Sequence, residues 1–309
     1  MKELPLVSMG KRVLITGGSG TVGQHLSQLL IQHGYEVAHL GRSAGKNLKI
    51  KTYLWDIEKR KIDEHCIDGV DFIVHLAGAG IADSRWTKAR KKTIIESRTE
   101  SIRLVYQLLK EHPHQVKAVI SASASGFYSE RGSEWMTENN EPNSDFLGHC
   151  SVLWEQAVDE ALYLGLRVVK FRTGVILDKN SGALPKMAAP IKFGVGSPLG
   201  SGKQYISWIH IDDVVNMYLK GIEDENLSGA YNMSTPNPIT NSELTHAIAE
   251  TLKKPLWLPN VPAFILKIIF GEMSAVVLGS TRMDTKKIIA TGFQFKYPNV
   301  DSALKEIYG

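Results

Sequence analysis

With 309 residues, of which 43% are hydrophobic and 22% charged, the chain has apolar material for about two domains' worth of packed core, which excludes a disordered polymer. A net charge of +4, spread thinly, excludes the basic footprint expected of a nucleic-acid or anionic-membrane binder. The two cysteines, Cys66 and Cys150, lie far apart and without CxxC spacing; this excludes a disulfide framework and a cysteine zinc site and fits a reducing cytoplasm.

The opening Met1–Gly10 run is too short in apolar residues for an export signal. Lys11–Thr16 reads as a buried strand, Gly23–Gly34 as a helix with Leu26, Leu29 and Leu30 on one face, and Tyr35–Leu40 as the next strand. Asp71–Leu76, Ala118–Ala122 and Leu166–Phe171 read as further strands, separated by helical stretches over 88–111 and 148–164. Between Gly174 and Gly202 there are six glycines and three prolines in 29 residues, too many for continuous regular structure. Gln204–Glu223 reads as a strand-helix unit rejoining the sheet, with Asp212 and Asp213 placed to cap its helix. Asn241–Lys253 is a short amphipathic helix behind a Thr240–Glu243 capping sequence. Pro262–Gly279, interrupted by Lys267 and Glu272, falls short of the roughly 20 apolar residues a membrane span needs and reads as a buried helix.

Alternating strands and helices predict an α/β fold: a Rossmann-type doubly wound parallel sheet with a smaller mixed α/β lobe on the substrate side. The nucleotide lobe is expected over 1–174, with 204–235 returning to the sheet; 175–203 and 236–309 form the second lobe.

The strongest local signal is Gly17-Gly18-Ser19-Gly20-Thr21-Val22-Gly23, set between a strand and a helix. Gly17 permits a tight turn, Gly20 lets the backbone approach a diphosphate, and Gly23 lets the helix pack on the sheet, so that amides at the helix start meet phosphate charge. The second strand ends Leu40-Gly41-Arg42-Ser43 without the carboxylate that normally accepts bonds from an NAD ribose. Arg42 is placed to pair with a 2′-phosphate and Ser43 to add a hydroxyl, so NADP(H) is expected over NAD(H).

The 17-20-23 glycine spacing resembles the extended branch of the short-chain dehydrogenase/reductase superfamily. The resemblance extends to His75-Leu76-Ala77-Gly78, similar to that superfamily's turn beside the adenosine, and to Asp56, similar to its adenine-contacting acid. It implies a proton relay of a serine after the central strand followed by Tyr-x-x-x-Lys on the next helix, in which the lysine lowers the tyrosine pKa. Ser121, Ser123 and Ser125 supply the serine part; Ser123 is the expected polarising hydroxyl and Ser125 the second choice. The Tyr-Lys part is missing: Phe146 or Leu147 falls near the tyrosine slot and Cys150 or Ser151 near the lysine slot. Tyr106 and Lys110 match the spacing, but they precede the serine strand and read as a coincidence of an amphipathic helix.

That departure resembles one atypical branch, the NAD(P)-dependent epimerase/dehydratase family whose members end in a small domain of unknown function. The matches run nearly the whole length: Trp86 with Ser97-Arg98, Ser121 to Tyr128, Trp154-Glu155, Arg172 to Val175, Gly200 to Gly202, Trp208 to Asp213, Tyr231-Asn232 and Thr291 to Phe293. The resemblance implies cofactor contacts from Asp56, Leu76, Ala77, Gly78, Arg98, Ser121, Arg172 and Ile176. His210 is either a structural histidine bonded to backbone or a substrate-side acid–base group. Tyr128 is either a substrate-side phenol or core packing, and Glu155 either orients Arg172 or faces water.

Lys186, Lys192 and Lys203 lie in a segment similar to the substrate cover of extended enzymes and would suit an anionic small molecule such as a sugar nucleotide. The ten histidines are scattered without a metal-binding pattern, so no metal is expected. The superfamily's habit of pairing through two helices, one of them here over 88–111, allows a homodimer. Two functions follow: an NADP(H)-dependent oxidoreductase or epimerase-like enzyme acting on a carbonyl or alcohol, or a catalytically impaired NADP-binding regulatory or scaffold protein.

Overall fold

Short β-branched runs, each followed by an amphipathic helix, can bury both faces of a sheet only by crossing over in one hand, which stacks the strands parallel. The computed structural model describes residues 10–44 and 49–309; the Met1–Met9 part of the run read for an export signal lies outside them. Its central sheet contains β1 (Arg12–Thr16), β2 (Glu36–Gly41), β3 (Lys51–Asp56), β4 (Lys61–Ile62), β5 (Phe72–His75), β6 (Ala118–Ala124), β7 (Arg167–Thr173) and β8 (Gly229–Met233). The order is β8-β7-β6-β5-β1-β2-β3-β4, parallel throughout except for the antiparallel β4 at the edge.

Helices α1 (Thr21–Gln32), α2 (Lys88–Glu111), α3 (Phe146–Asp159), α4 (Ala183–Lys192), α5 (Ile211–Glu223), α6 (Asn241–Thr251) and α7 (Ala263–Phe270) complete the frame. Leu26 and Leu30 of α1 and Val214, Met217 and Tyr218 of α5 pack on one face of the sheet. Ile102, Val105 and Leu109 of α2 and Trp154, Ala157 and Val158 of α3 cover the other. A third core joins α4, α6 and the C-terminal helix Val300–Tyr308 through Leu184, Ala188, Ile191, Leu244, Ile248, Leu304 and Ile307. The chain is an α/β protein with a Rossmann-type sheet.

One strand is missing from the sequence reading, and three expectations change. Strand β3 carries no clear alternation: Tyr53 and Trp55 turn inward, but Leu54 is 49% exposed, so an apolar residue sits where the pattern needs a polar one. Trp208–His210 pairs with Val175–Leu177 in a separate two-stranded sheet, and β8 is the strand of 204–235 that rejoins the central sheet beside β7. The cap of α5 is His210, whose Nδ1 accepts from the Asp212 amide at 3.1 Å; the buried Asp213 instead accepts from the amides of Lys296 and Tyr297. The apolar run of 262–279 is not buried: Phe264, Ile268 and Ile269 are 63%, 71% and 51% exposed and Leu266 alone in α7 is buried. The capping box at Thr240 and Glu243 forms as read. Among the described residues no helix is long and apolar enough to cross a membrane.

Candidate functional site

Strand order reverses at β1, because the chain leaves β1 toward β2 and later returns to its other side as β5. The carboxyl ends of these two strands therefore splay open, which is where ligands lodge in doubly wound sheets. The glycine turn occupies this place, and each glycine meets a different steric demand. Gly17 has φ +72°, and a Cβ there would come within 2.9 Å of the Leu76 carbonyl carbon and oxygen. At Gly18 a Cβ would stand 2.4 Å from the His39 ring; at Gly23 it would meet Gly18 Cα at 2.6 Å. Gly20 differs, because its Cβ would approach only the Gly17 oxygen, at 3.3 Å, and it is exposed. Helix α1 has no side-chain cap and no acid in its first turn. Among the described residues, the amides of Thr21, Val22 and Gly23 meet no acceptor. Bare amides at an uncapped helix start, beneath a glycine with open space above it, fit a dinucleotide diphosphate.

The turn is locked from below. The Thr16 hydroxyl accepts from the amides of Leu76 and Ala77, both at 3.2 Å, so its proton goes to His75 Nδ1 at 2.8 Å. His75 therefore carries its proton on Nε2 and donates it to the Arg98 carbonyl at 3.2 Å. Complete burial pushes this imidazole down to about 4. The unfolded chain binds the proton more readily than the folded one between that value and the ordinary histidine pKa of about 6.5, so this share of stability is present above about pH 6.5 and lost as pH falls toward 4. A His75→Asn variant is expected to show a flatter fall in denaturation midpoint between pH 7 and pH 5 than the native chain; identical slopes would refute the assignment.

Beside the turn, a groove of about 1020 Å³ runs between the ends of β2 and β3 and the face of α2. Its walls include Arg42, Asp56, Ile57, Thr93 and Ser97. Three residues far apart in sequence, Arg42, Asp56 and Ser97, thus share one wall system. Asp56 accepts from the Lys59 amide at 3.0 Å, which holds its carboxyl below the usual range. Ser97 accepts from the Ala79 amide at 2.9 Å and ties α2 to the turn after β5. Ile57, Arg60 and Thr93 are groove residues that sequence reasoning missed; the first two follow an unrecognised strand, and Thr93 is on the face of α2. Val22, Leu76 and Ile176 border the same core cluster, half-buried around the turn. Thr21 Oγ1 donates to Ser181 Oγ at 2.6 Å, and Ser181 to Asp178 at 2.7 Å, which pins the loop after Val175–Leu177 to the start of α1. Neither Asp178 nor Ser181 shows in any motif.

The expected catalytic groups are placed differently. Ser123 donates to Glu155 Oε1 at 2.7 Å, and Arg172 holds both oxygens of that carboxylate, at 2.8 and 3.0 Å. Arg172 also donates to the Tyr128 hydroxyl at 2.9 Å, and Tyr128 passes its proton to Asn232 at 2.8 Å. Ser123, Tyr128, Glu155, Arg172 and Asn232 are all buried, so they form one closed polar network inside the protein. Glu155 therefore orients Arg172 and does not face water. Burial pushes the Tyr128 phenol up to about 12, the wrong direction for an acid–base group near neutrality. Ser121 is fully buried and donates to the Ala122 carbonyl. Ser125, at the exit of β6, is half-buried and its hydroxyl has no partner among the described residues. His210 is 1% exposed, caps α5, sits 2.9 Å from Glu306 and lies against the Tyr297 ring, which is a structural setting. Tyr106 is likewise structural, donating to the Val158 carbonyl. The structure does not bring Ser123, Tyr128 and His210 together at an opening.

A family model, the NAD dependent epimerase/dehydratase family, matches residues 13–234, the glycine turn and every strand of the main sheet except for the edge of β1. The chain belongs to the NAD-dependent epimerase/dehydratase family. A second model, a domain of unknown function (DUF1731), covers 261–307. Epimerase family protein YfhF of Bacillus subtilis is 35% identical over 297 residues, covering 96% of this chain and 97% of the relative. A crystal structure of the human epimerase family protein SDR39U1 with NADPH is 28% identical with a TM-score of 0.84, covering 96% of this chain and 99% of that one. The nucleoside-diphosphate sugar epimerase from Corynebacterium glutamicum is 31% identical with a TM-score of 0.78 over 96% of this chain and 58% of that longer one. In this epimerase/dehydratase chain, the groove and glycine turn lie wholly within the first family match.

Proposed function

We propose that this chain is an NADP(H)-dependent oxidoreductase or epimerase-like enzyme acting on a small carbonyl or alcohol substrate. The observation that carries the reading is the uncapped start of α1 with its bare amides, opening beside a groove that Arg42 and Asp56 line. The amides of Thr21, Val22 and Gly23 would hold the diphosphate and Asp56 would border the adenosine. Arg42, exposed at the end of β2 with no ion-pair partner among the described residues, would pair with a 2′-phosphate. The human relative whose structure contains NADPH supports the phosphorylated cofactor. When bound, the nicotinamide supplies a donor or acceptor of hydride. Of the serines on β6 and at its exit, Ser125 is the one with an uncommitted hydroxyl among the described residues, so we read it as the group that faces the substrate oxygen, with Ser123 held by Glu155.

A second reading, cofactor binding without turnover, is favoured by one observation: no phenol and lysine stand together on α3, and the buried Tyr128 is committed to Asn232 and Arg172. Titration of the purified chain with NADPH and NADH, alongside loss of NADPH absorbance with a panel of carbonyl compounds, separates the two. NADPH is expected to bind more tightly, and Arg42→Ala to cut that preference roughly ten- to a hundredfold. An Arg42→Ala variant with unchanged preference would overturn the NADP(H) assignment, and binding without consumption of NADPH across the panel would favour the second reading.

A further inference from the structure

The exposed apolar side of the second lobe has no task in the cofactor reading. Thirteen large hydrophobic side chains stand exposed among the described residues, and six of them fall in two short stretches: Phe193 and Val195 in one, and Trp257, Phe264, Ile268 and Ile269 in the other. The two stretches are neighbours in space. The Trp257 indole donates to the Gly194 carbonyl at 2.9 Å and the Val261 amide to the Pro198 carbonyl at 2.9 Å, so 193–200 runs alongside 257–261, which leads directly into α7. Phe193, Trp257 and Ile268 are 84%, 69% and 71% exposed, and apolar side chains gathered in this way mark an interaction surface.

The same stretches are one-sided in charge. Residues 179–204 and 253–271 contain seven lysines and no aspartate or glutamate. The exposed Lys192, Lys254 and Lys267 stand within three residues of Phe193, Trp257 and Ile268. Glu272, the first acid after the second stretch, is held by Lys91 of α2. The whole-chain charge of +4 averages over this local asymmetry, because the balancing acids lie elsewhere in the sequence.

Polar groups among the apolar side chains are satisfied from within. The Trp257 indole N–H is spent on Gly194. The last carbonyls of a helix are normally left to water, but at the end of α7 Arg85 donates to the Ile268 carbonyl at 3.0 Å and to the Ile269 carbonyl at 2.6 Å. Donors and acceptors paired internally are not orphaned when the surface leaves water. Aromatic and branched side chains set among lysines suit the headgroup layer of an anionic bilayer, where the apolar groups enter the acyl boundary and the ammonium groups remain at the phosphates.

We propose that the face formed by 193–195, 254–257 and α7 docks the protein on an anionic lipid surface. The docking is peripheral, because α7 has eight residues and is too short to span a bilayer. It does not depend on the cofactor reading.

The test is co-sedimentation of the full chain with vesicles of phosphatidylcholine alone and of phosphatidylcholine mixed with phosphatidylglycerol, at low and high salt. Wild type, F264S/I268S and K254E/K267E are compared, each with its melting temperature recorded. Wild type is expected to bind the anionic vesicles more tightly than the neutral ones and to lose that advantage at high salt. F264S/I268S should bind the anionic vesicles roughly ten- to a hundredfold more weakly, and K254E/K267E should fall by a similar factor on anionic vesicles alone. Should F264S/I268S not fold, F264S by itself carries the comparison. A wild type that does not sediment with anionic vesicles, that binds both vesicle types equally, or that its variants match would overturn the proposal. A dimer in sedimentation equilibrium that F264S/I268S dissolves, without vesicle binding, would give the face to a second copy of the chain. Capture on polyglutamate without vesicle binding would give it to an acidic protein surface. Either result overturns the lipid assignment.

Discussion

Gly20→Asp is expected to abolish dinucleotide binding while leaving the unliganded protein as stable as before or slightly more so. Residue 20 is the N-cap of α1 with φ −75° and ψ 169°, an extended conformation open to any residue. A Cβ there touches only the Gly17 oxygen, so an aspartate fits the fold. Aspartate is among the preferred N-cap residues, and its carboxylate would take the very amides a diphosphate needs. The bound ligand would then face a fixed negative charge where it now finds free donors, and affinity for NADPH should fall at least a hundredfold, about 3 kcal/mol or more. Titration and thermal melting on the same sample check both halves. Retained affinity would show that the phosphate does not sit on α1. A collapse in melting temperature would show that the turn tolerates no side chain, and Gly20→Ala would then separate steric from electrostatic loss.

Removing the carboxylate at the centre of the buried network should have the largest effect on stability. Glu155 is 7% exposed and receives hydrogen bonds from Ser123 and Arg172, with Lys170 Nζ at 3.7 Å. Glu155→Ala leaves the Arg172 guanidinium, 5% exposed, without its counter-charge. Breaking a buried pair from one side costs about 3–5 kcal/mol, because the remaining charge stays desolvated. Paired changes that remove both charges should cost less than the sum of the two single changes. Arg172 and Lys170 hold the Glu155 carboxyl below its ordinary pKa against the opposing effect of burial. Its contribution is therefore present above the ordinary carboxylate pKa and lost as pH falls through the lowered value. Denaturant titration of Glu155→Ala at pH 7 within 1 kcal/mol of wild type would contradict this account.

The network also changes the meaning of four residues. Ser123 stands on β6 and Arg172 on β7, directly opposite each other in register, while Tyr128 follows the 3₁₀ turn and Glu155 comes from α3. No spacing rule links the four. Read along the chain, a serine at a strand end and a nearby tyrosine suggest chemistry; folded, they satisfy each other's buried donors and acceptors. Where Tyr-x-x-x-Lys is expected, α3 presents Phe146 or Leu147 and Cys150 or Ser151.

Local pattern was enough for everything that depends on neighbours within a few residues. The strand–glycine–helix unit at 12–32, the long helix at 88–111, the Thr240 capping box and the absence of an acid at Arg42 are all of this kind, since turn geometry, helical periodicity and capping act over one to four residues of chain. Tertiary structure alone decided which strand closes the sheet, that α7 lies exposed, that His210 is held against Glu306, and which hydroxyl is left uncommitted. Those outcomes depend on partners 30 to more than 100 residues away, as with Tyr128 and Asn232, and a side chain's proton is committed only when folding brings its acceptor within 3 Å and removes water as the alternative.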